Sequence, residues 1–330
     1  MPLLRINATD AGLTLHDTAQ SAGYRLCALA ARPGPAVIMV HGYKYAPGTD
    51  DHCPHEKLFG TSEYSWPAHL GFGNAHPREG LGIAFGWYAR GALRSVHARA
   101  SQLGQELAIV IALLRAHTPT RPIHIIAHSL GTEAALSALA HLPANTVDRM
   151  VLLTGASYAQ RAAALLDTPA GRTTRVLNVT SRENDLFDAA FERLVAPEHR
   201  GDCAIGQGIP APNAVTVQLD CPKTISGLRE IGLPIAPPSK RICHWSAYKR
   251  PGVMAVYNRF LRHPETLPLK QLAAVLPQKS APRWSRLVPL PRTAHLRQKI
   301  SLSLPARTVG LSTRPPQDTY HRRDTNEPAY

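Results

Sequence analysis

The sequence predicts an α/β protein with a mostly parallel sheet of eight strands and helices on both faces. Short apolar runs alternate along the chain with longer segments of helical period. The apolar runs are continuous, as expected of strands that are covered on both faces. Residues 92–115 carry apolar side chains at steps of three and four, which predicts a helix that crosses between strands.

The elements follow in chain order. Eight apolar runs are the predicted strands: Leu3 to Asn7, Tyr24 to Ala30, Ala36 to Val40, Gly82 to Trp87, Pro122 to Ala127, Asp148 to Leu153, Arg175 to Thr180 and Ala214 to Leu219. The clearest helix is Ala92 to Arg115, and others follow Ser129, Ser157 and Asp185. A last helix in AYKRPGVMAVYNRFL has to begin near Pro251, because a proline inside a helix costs about 3 kcal/mol. The segment from Tyr43 to Glu79 has no clear period, which is typical of a lid or a binding loop.

The charge of the chain is concentrated at its C-terminal end. The 330 residues carry a net charge of +14, of which residues 266–330 carry 11 basic and 3 acidic side chains, or +8. Those residues also contain nine prolines and no sustained apolar period, so we expect an extended or disordered basic tail. The predicted domains are therefore residues 1–265 and the tail 266–330, with the boundary near Pro264. Because the basic residues are spaced out, we expect no specific nucleic-acid partner.

The cysteines and the apolar content bear on the compartment. Five cysteines are scattered without a C-x-x-C pair, which favours neither a disulfide framework nor a zinc site. No apolar run reaches 18 residues, and the first residues do not have the pattern of a secretory signal. We therefore expect a cytoplasmic protein without a membrane span, and the oligomeric state stays open.

The most informative segment is PIHIIAHSLGTEAALSALA, residues 122–140. Its first half predicts a buried strand and its second half a helix, so Ser129 is expected at a sharp turn between them. N–H groups at the start of a helix can stabilise an oxyanion at such a turn. Ala127 and Gly131, two residues before and after the serine, are small, as the crowded turn requires. An ordinary serine N-cap would occupy the same position.

The A-H-S-L-G sequence resembles the nucleophile elbow of the α/β-hydrolase superfamily, whose usual form is G-x-S-x-G. Here alanine replaces the first glycine. His41-Gly42 follows a predicted strand, as an H-G pair follows the third strand in the superfamily. The resemblance implies the α/β-hydrolase fold, a nucleophilic Ser129, and an oxyanion hole formed by the N–H groups of Tyr43 and Leu130, with His41 bracing the loop.

The superfamily order then implies an acid after a later strand and a histidine after the last strand. Glu183, Asp185 and Asp188 follow the strand that ends near Thr180. We prefer Asp185, because it precedes the helix and is shorter than Glu183, although a helix N-cap would explain it equally well. His244 lies between the last strand region and the last helix, where the superfamily has its base.

More narrowly, residues 20–262 resemble a bacterial esterase- and lipase-like branch. The resemblance rests on H-G-Y after strand three, F-x-W after strand four, S-R-E-N-D after a later strand, and a histidine followed by Tyr and Pro-Gly. It implies cleavage of an ester or related acyl bond in a small molecule through an acyl-enzyme, without a cofactor. Esterase, lipase, thioesterase, peptidase and acyltransferase chemistry remain open. The alternative is a catalytically silent protein of the same fold that acts through its basic tail.

Two further groups of residues are candidates for a pocket and for a metal site. Four aromatic residues are expected near an apolar pocket, although such residues are often core: Tyr45, Trp66, Trp87 and Trp245. The sequence DDHCPHE, residues 50–56, contains metal-binding residue types without the spacing of a defined site. We expect no metal there.

Overall fold

The computed structural model describes residues 2–18, 20–62, 64–277 and 281. The described residues belong to one compact unit, and the predicted tail beyond residue 277 lies outside them except for Ala281. The strands are β1 Leu3–Thr9, β2 Gly12–Leu15, β3 Ala36–Val40, β4 Leu81–Trp87, β5 Ile123–His128, β6 Arg149–Leu153, β7 Arg175–Thr180 and β8 Ala214–Gln218. The helices are α1 Ala22–Ala30, α2 Pro54–Lys57, α3 Trp66–His69, α4 Leu93–His117, α5 Gly131–Ala138, α6 Ala159–Leu166, α7 Pro169–Thr173, α8 Asp185–Leu194, α9 Pro222–Glu230, α10 Ser246–Lys249, α11 Val253–Arg262 and α12 Leu269–Val275.

The eight strands form one sheet in the order β2-β1-β4-β3-β5-β6-β7-β8. The β1–β2 pair is antiparallel and every other neighbouring pair is parallel. This mostly parallel sheet with helices around it confirms the predicted fold class. Because β3 and β5 are neighbours, the segments that follow them meet at the carboxyl edge of the sheet.

The core has two layers, one on each face of the sheet. Alternate side chains of β3 point to opposite faces, with Ile38 and Val40 in one apolar cluster and Val37 and Met39 in the other. The long helix α4 covers the first face with α1 and α5, and α11 and α12 cover the second. Among the described residues, no helix combines the length and the apolarity needed to cross a membrane.

One predicted strand is wrong, because residues 22–30 form helix α1. Ala22, Leu26 and Ala30 recur at steps of four and are buried, so one stripe of this helix packs on the core. Tyr24, in contrast, is 82% exposed. The sheet still has eight strands, because β2, which was not predicted, pairs with β1 at the edge of the sheet.

The predicted domain boundary near residue 265 remains a prediction. Helix α12 follows it and packs against α9, β7 and β8. Leu272 of this helix is fully buried, and Leu267 and Leu276 flank it in the same apolar cluster. A Cβ on Gly227 of α9 would overlap the backbone carbonyl of Val275, so the two helices are in close contact. The chain from Leu267 to Leu276 therefore packs on the same core.

Candidate active site

Ser129 lies at the turn between β5 and α5, with a left-handed backbone (φ = 54°) that non-glycine residues rarely adopt. Backbone hydrogen bonds to the next strand segment hold this turn in place. The Ser129 N–H donates to the carbonyl of Leu153 at 3.0 Å, and its carbonyl accepts from the Ala156 N–H at 3.0 Å. The side chain of Ser129 is therefore fixed at the carboxyl edge of the sheet, before the first turn of α5.

Small residues make room for this turn. A Cβ on Gly131 would overlap the carbonyl oxygen of His41. A Cβ on Gly42 would lie 2.5 Å from Ser129 Cβ and 2.8 Å from the His128 carbonyl oxygen. Ala127 is fully buried at the end of β5. The glycine after β3 and the serine after β5 are thus in direct backbone proximity.

Two N–H groups are available beside Ser129. Within the part of the chain that the structure describes, neither the N–H of Tyr43 nor that of Leu130 donates to a protein acceptor. Both residues line the same cavity as Ser129. Leu130 stands at the start of α5 and Tyr43 in the turn after β3, and unpaired N–H donors of this kind can bind an oxyanion.

His41 lies beneath this loop. Its Nε2 accepts from the Trp87 N–H at 3.0 Å, so its Nδ1–H is the donor to the Gly42 carbonyl at 2.9 Å. Its own carbonyl accepts from Trp87 Nε1 at 3.0 Å, and the two rings are stacked. Complete burial lowers the pKa of His41 to about 3. His41 therefore stays neutral, and its contacts join the Gly42 turn to β4.

The loop that carries His244 is attached to the ends of three strands. The Cys243 N–H donates to the Glu183 carbonyl at 2.9 Å, which ties the loop to the turn after β7. The His244 carbonyl accepts two hydrogen bonds, from His128 Nε2 at 3.2 Å and from Thr154 Oγ1 at 3.3 Å. Because a carbonyl only accepts, His128 carries its proton on Nε2. These contacts hold the backbone of His244 next to the Ser129 turn, and both side chains line one cavity.

The hydrogen bond to the His244 ring comes from Asn184. Asn184 Oδ1 lies 2.6 Å from His244 Nδ1, and Asn184 Nδ2 donates to Asp188 Oδ1 at 2.9 Å. A carboxylate only accepts, so Asp188 orients the Asn184 amide with its oxygen toward the histidine. His244 Nδ1 must then carry the proton, which leaves Nε2 free to accept one. Asn184 and Asp188 are both buried.

The acids that we predicted have different positions. Asp185, the preferred acid, is the first residue of α8 and is buried one position after Asn184. Glu183, the alternative, forms a buried ion pair with Arg250 and accepts from Ser181 Oγ at 3.0 Å. Arg250 also donates to the Leu219 carbonyl at 2.6 Å, so this pair holds the loop after β7 to the end of β8. The assignment of the orienting role to Asp185 remains a prediction.

Both histidines near Ser129 are shifted toward the neutral form. Burial lowers the pKa of His128 to about 4. Burial also holds the pKa of His244 well below its usual range, and the nearby His128 lowers it further. Phe187 stacks on the His244 ring, with centroids 4.7 Å apart, and adds to this desolvation. A neutral imidazole beside a serine can act as a proton acceptor.

The cavity at Ser129 has a volume of about 690 Å³. Tyr45 and Trp245, two of the predicted pocket residues, line it, whereas Trp66 and Trp87 are buried in the core and lie outside its wall. Aromatic and aliphatic residues supply most of the wall: Tyr43, Tyr45, Leu58, Tyr64, Leu93, Leu130, Ala156, Phe187, Ala190, Phe191, Trp245 and Tyr248. Three lysines and two aspartates complete the charged part of the wall: Lys44, Lys57, Lys249, Asp51 and Asp188.

Residues of the sequence DDHCPHE lie in two different places, the cavity wall and the protein interior. Asp51 and His52 line the cavity, whereas His55 is buried and hydrogen-bonds Asn7 Oδ1 at 2.7 Å. His16 stacks on His55 and lies 3.7 Å from Cys53 Sγ. Across residues 2–18, 20–62, 64–277 and 281, no three His, Cys, Asp or Glu side chains are arranged to hold a metal ion.

Sequence reasoning missed three residues that surround His244, namely Asn184, Thr154 and His128, whereas Asp188 was among the candidate acids. Asn184 and Asp188 stand four positions apart on adjoining turns, a spacing at which side chains meet, but a search for carboxylates alone passes over the amide. Thr154 also has a left-handed backbone (φ = 40°), which its sequence surroundings do not indicate. His128 was visible in the A-H-S-L-G sequence, but its contact with His244 depends on the fold.

Comparisons with known proteins find similarity only among solved structures. No family model matches the chain, and no curated protein matches it. Among solved structures, 55 chains match, and one of them is the mature form of the Bacillus licheniformis lipase BlEst2. That lipase is 13% identical, with a TM-score of 0.35, over 57% of this chain and 85% of its own. The candidate site is therefore defined by this chain's own residues.

Proposed function

We propose that this protein is a serine hydrolase that cleaves a carboxylic ester or a related acyl bond through an acyl-enzyme. The observation that carries the proposal is the strained turn that holds Ser129 beside two unpaired N–H groups, with His244 on the same cavity wall. A serine in a left-handed backbone is costly, and such strain is kept where it serves a function. An ordinary N-cap residue has an extended backbone, so capping alone does not explain this conformation.

In this proposal, Ser129 Oγ attacks the acyl carbonyl carbon and its proton passes to His244 Nε2. The N–H groups of Tyr43 and Leu130 donate to the oxyanion of the tetrahedral intermediate. Collapse breaks the bond to the alcohol, which leaves with the proton from His244. Water then attacks the acyl-enzyme by the same steps in reverse, with His244 again taking and returning the proton.

Asn184 is the orienting residue in this proposal, because its amide oxygen accepts the hydrogen bond from His244 Nδ1–H. A neutral amide fixes the ring and its tautomer but stabilises the imidazolium less than a carboxylate does. Asp188, hydrogen-bonded to the other end of the amide, polarises it and supplies a negative charge one group further away. Asp185 is the competing candidate for this role.

Labelling by a fluorophosphonate probe tests the proposal, because the reaction requires an activated serine. The parent protein should be labelled, and Ser129→Ala and His244→Ala should not be. Ser226→Ala is a matched control, since Ser226 is an exposed helix serine outside the cavity wall, and it should be labelled like the parent. An unlabelled parent would favour the alternative that the protein is a catalytically silent binding module.

A further inference from the structure

Three lysines from separate elements line the cavity that contains Ser129. Lys44 follows β3, Lys57 is the last residue of α2, and Lys249 is the last residue of α10. All three are exposed to solvent. Within the described part of the chain, none of their ammonium groups forms an ion pair.

The backbone of Lys44 is anchored beside the proposed oxyanion hole. Its N–H donates to the Ala89 carbonyl at 2.8 Å, and its own carbonyl accepts from Arg90 at 3.2 Å. Its left-handed backbone (φ = 74°) marks a tight turn directly after Tyr43. The lysine side chain thus starts from a fixed point next to the N–H group that would bind the oxyanion.

Aromatic rings position Lys249 on the cavity wall. Its Nζ lies 4.5 Å from the ring centroid of Tyr64 and 6.0 Å from that of Trp245. Both rings belong to the same wall. An ammonium group over aromatic faces can still contact an anion on its other side.

The acids near these lysines do not neutralise them. Glu56, next to Lys57 in the chain, pairs with Arg5 at 3.3 Å. Asp188 is buried and accepts from the Asn184 amide. Asp51 remains as the exposed acid of the wall, against three ammonium groups. The charge at the mouth of the cavity is therefore positive, above an interior that is mainly apolar.

From this arrangement we propose that the substrate is an anionic ester, with an apolar part at Ser129 and a carboxylate, sulfonate or phosphate group at the mouth near Lys44, Lys57 and Lys249. This inference rests on the proposed function. A cleft of one charge sign attracts the oppositely charged substrate and raises its capture rate by roughly 10- to 1000-fold at low salt. The anion can belong to the acyl side or to the alcohol side of the ester.

Two matched esters separate charge from shape: 4-nitrophenyl hydrogen glutarate and its neutral methyl ester, 4-nitrophenyl methyl glutarate. At low salt, we expect kcat/KM to be at least about 10-fold higher for the anion, and the ratio to approach one at about 0.5 M salt. In the triple variant Lys44→Gln, Lys57→Gln, Lys249→Gln, the ratio should fall toward one. Lys223→Gln changes an exposed lysine outside the cavity wall and should keep the parent ratio.

A second pair of esters locates the anion. Phenyl butyrate and 4-(butyryloxy)benzenesulfonate carry the charge difference on the leaving group, and a preference there instead would assign the lysines to the alcohol side. Hydrolysis of the neutral esters without preference for either anion would overturn the inference and leave the proposed function standing. Absence of both hydrolysis and probe labelling would overturn the proposed function itself. Calorimetry with Ser129→Ala then measures binding of the ester pair that showed the preference, without turnover, and equal binding of its anionic and neutral members would overturn the inference.

Discussion

Replacing Gly42 with alanine should lower kcat/KM by about 100-fold without unfolding the protein. The new Cβ would lie 2.5 Å from Ser129 Cβ and 2.8 Å from the His128 carbonyl oxygen. Carbon atoms in contact prefer about 3.5 Å or more, so the two backbones have to separate by about 1 Å. A misplacement of that size between a nucleophile and its oxyanion donors costs about 100-fold, or about 2.7 kcal/mol of transition-state stabilisation.

The crowding should also lower the free energy of unfolding by about 1 to 3 kcal/mol, as overpacked substitutions do. Hydrolysis of 4-nitrophenyl butyrate, the rate of fluorophosphonate labelling and urea unfolding give the three measurements. Gly23→Ala, inside helix α1, is the matched control, since its Cβ would lie 3.9 Å from Ser21 Oγ, an ordinary van der Waals distance. It should leave kcat/KM and labelling unchanged and raise the free energy of unfolding by no more than about 1 kcal/mol. The close approach of the two turns is refuted if Gly42→Ala keeps kcat/KM within threefold of the parent and also keeps the free energy of unfolding within about 0.5 kcal/mol of it.

Three further predictions follow from the site and the core. Asn184→Ala should lower kcat by about 10²- to 10⁴-fold, and Asp188→Asn by about 10- to 100-fold; a larger loss in Asp185→Asn than in Asn184→Ala would return the orienting role to Asp185. Because burial lowers the pKa of His244, the proposed base stays neutral as pH falls, and kcat/KM should decline only below about pH 6.5. Asn184→Asp places a negative charge at His244 Nδ1 and should move this decline to higher pH. A chain that ends at Pro264 lacks α12 and loses the burial of three leucines, which is worth about 5 to 9 kcal/mol. Its melting temperature should therefore be far below that of a chain ending at Pro289. Equal melting temperatures would contradict the packing of α12.

Buried neutral histidines give a fourth prediction, on stability. Burial, with Arg149 nearby, lowers the pKa of His124 to about 3, so between about pH 6.5 and pH 3 the unfolded chain binds a proton that the folded chain does not. Stability is therefore lost as pH falls through this range, by up to about 1.4 kcal/mol per pH unit for each such group. His124→Gln should reduce that slope in urea unfolding between about pH 6 and pH 4, and an unchanged slope would show that His124 is protonated in the folded protein.

β3 and β4 were predictable because every residue of these two strands is apolar or glycine. β3 and β7 have the predicted bounds, since β3 follows a turn, β7 follows helix α7, and polar residues come after both strands. Residues 24–30 were mistaken for a strand because Tyr24, Leu26 and Cys27 also suit a strand locally. The packing of Ala22, Leu26 and Ala30 on the core favours the helix, and that is a tertiary effect.

The candidate site was predictable where the chain itself is constrained. Ser129 and Gly131 are close in sequence, and the turn between a strand and a helix limits which residues can stand there. The partner of His244 depends instead on where two separate loops meet, which no local pattern records. A residue at position 184 or 185 differs by about 100° in direction around a helix, so a prediction that is one residue off points to another side of the turn.

One part of the cavity wall comes from a stretch of the chain that is separate from the strand ends holding Ser129 and Asn184. Tyr43, Lys44, Asp51, Lys57 and Tyr64 all come from the long segment between β3 and β4. Ser129 and Asn184, in contrast, follow the ends of strands β5 and β7, which are fixed by the sheet. Under the proposed function, exchange of residues 44–79 would alter the part of the wall that contains Lys44 and Lys57 and leave the strand ends that hold Ser129 and Asn184 unchanged. That segment would then be a place where substrate preference can vary without a change in the sheet.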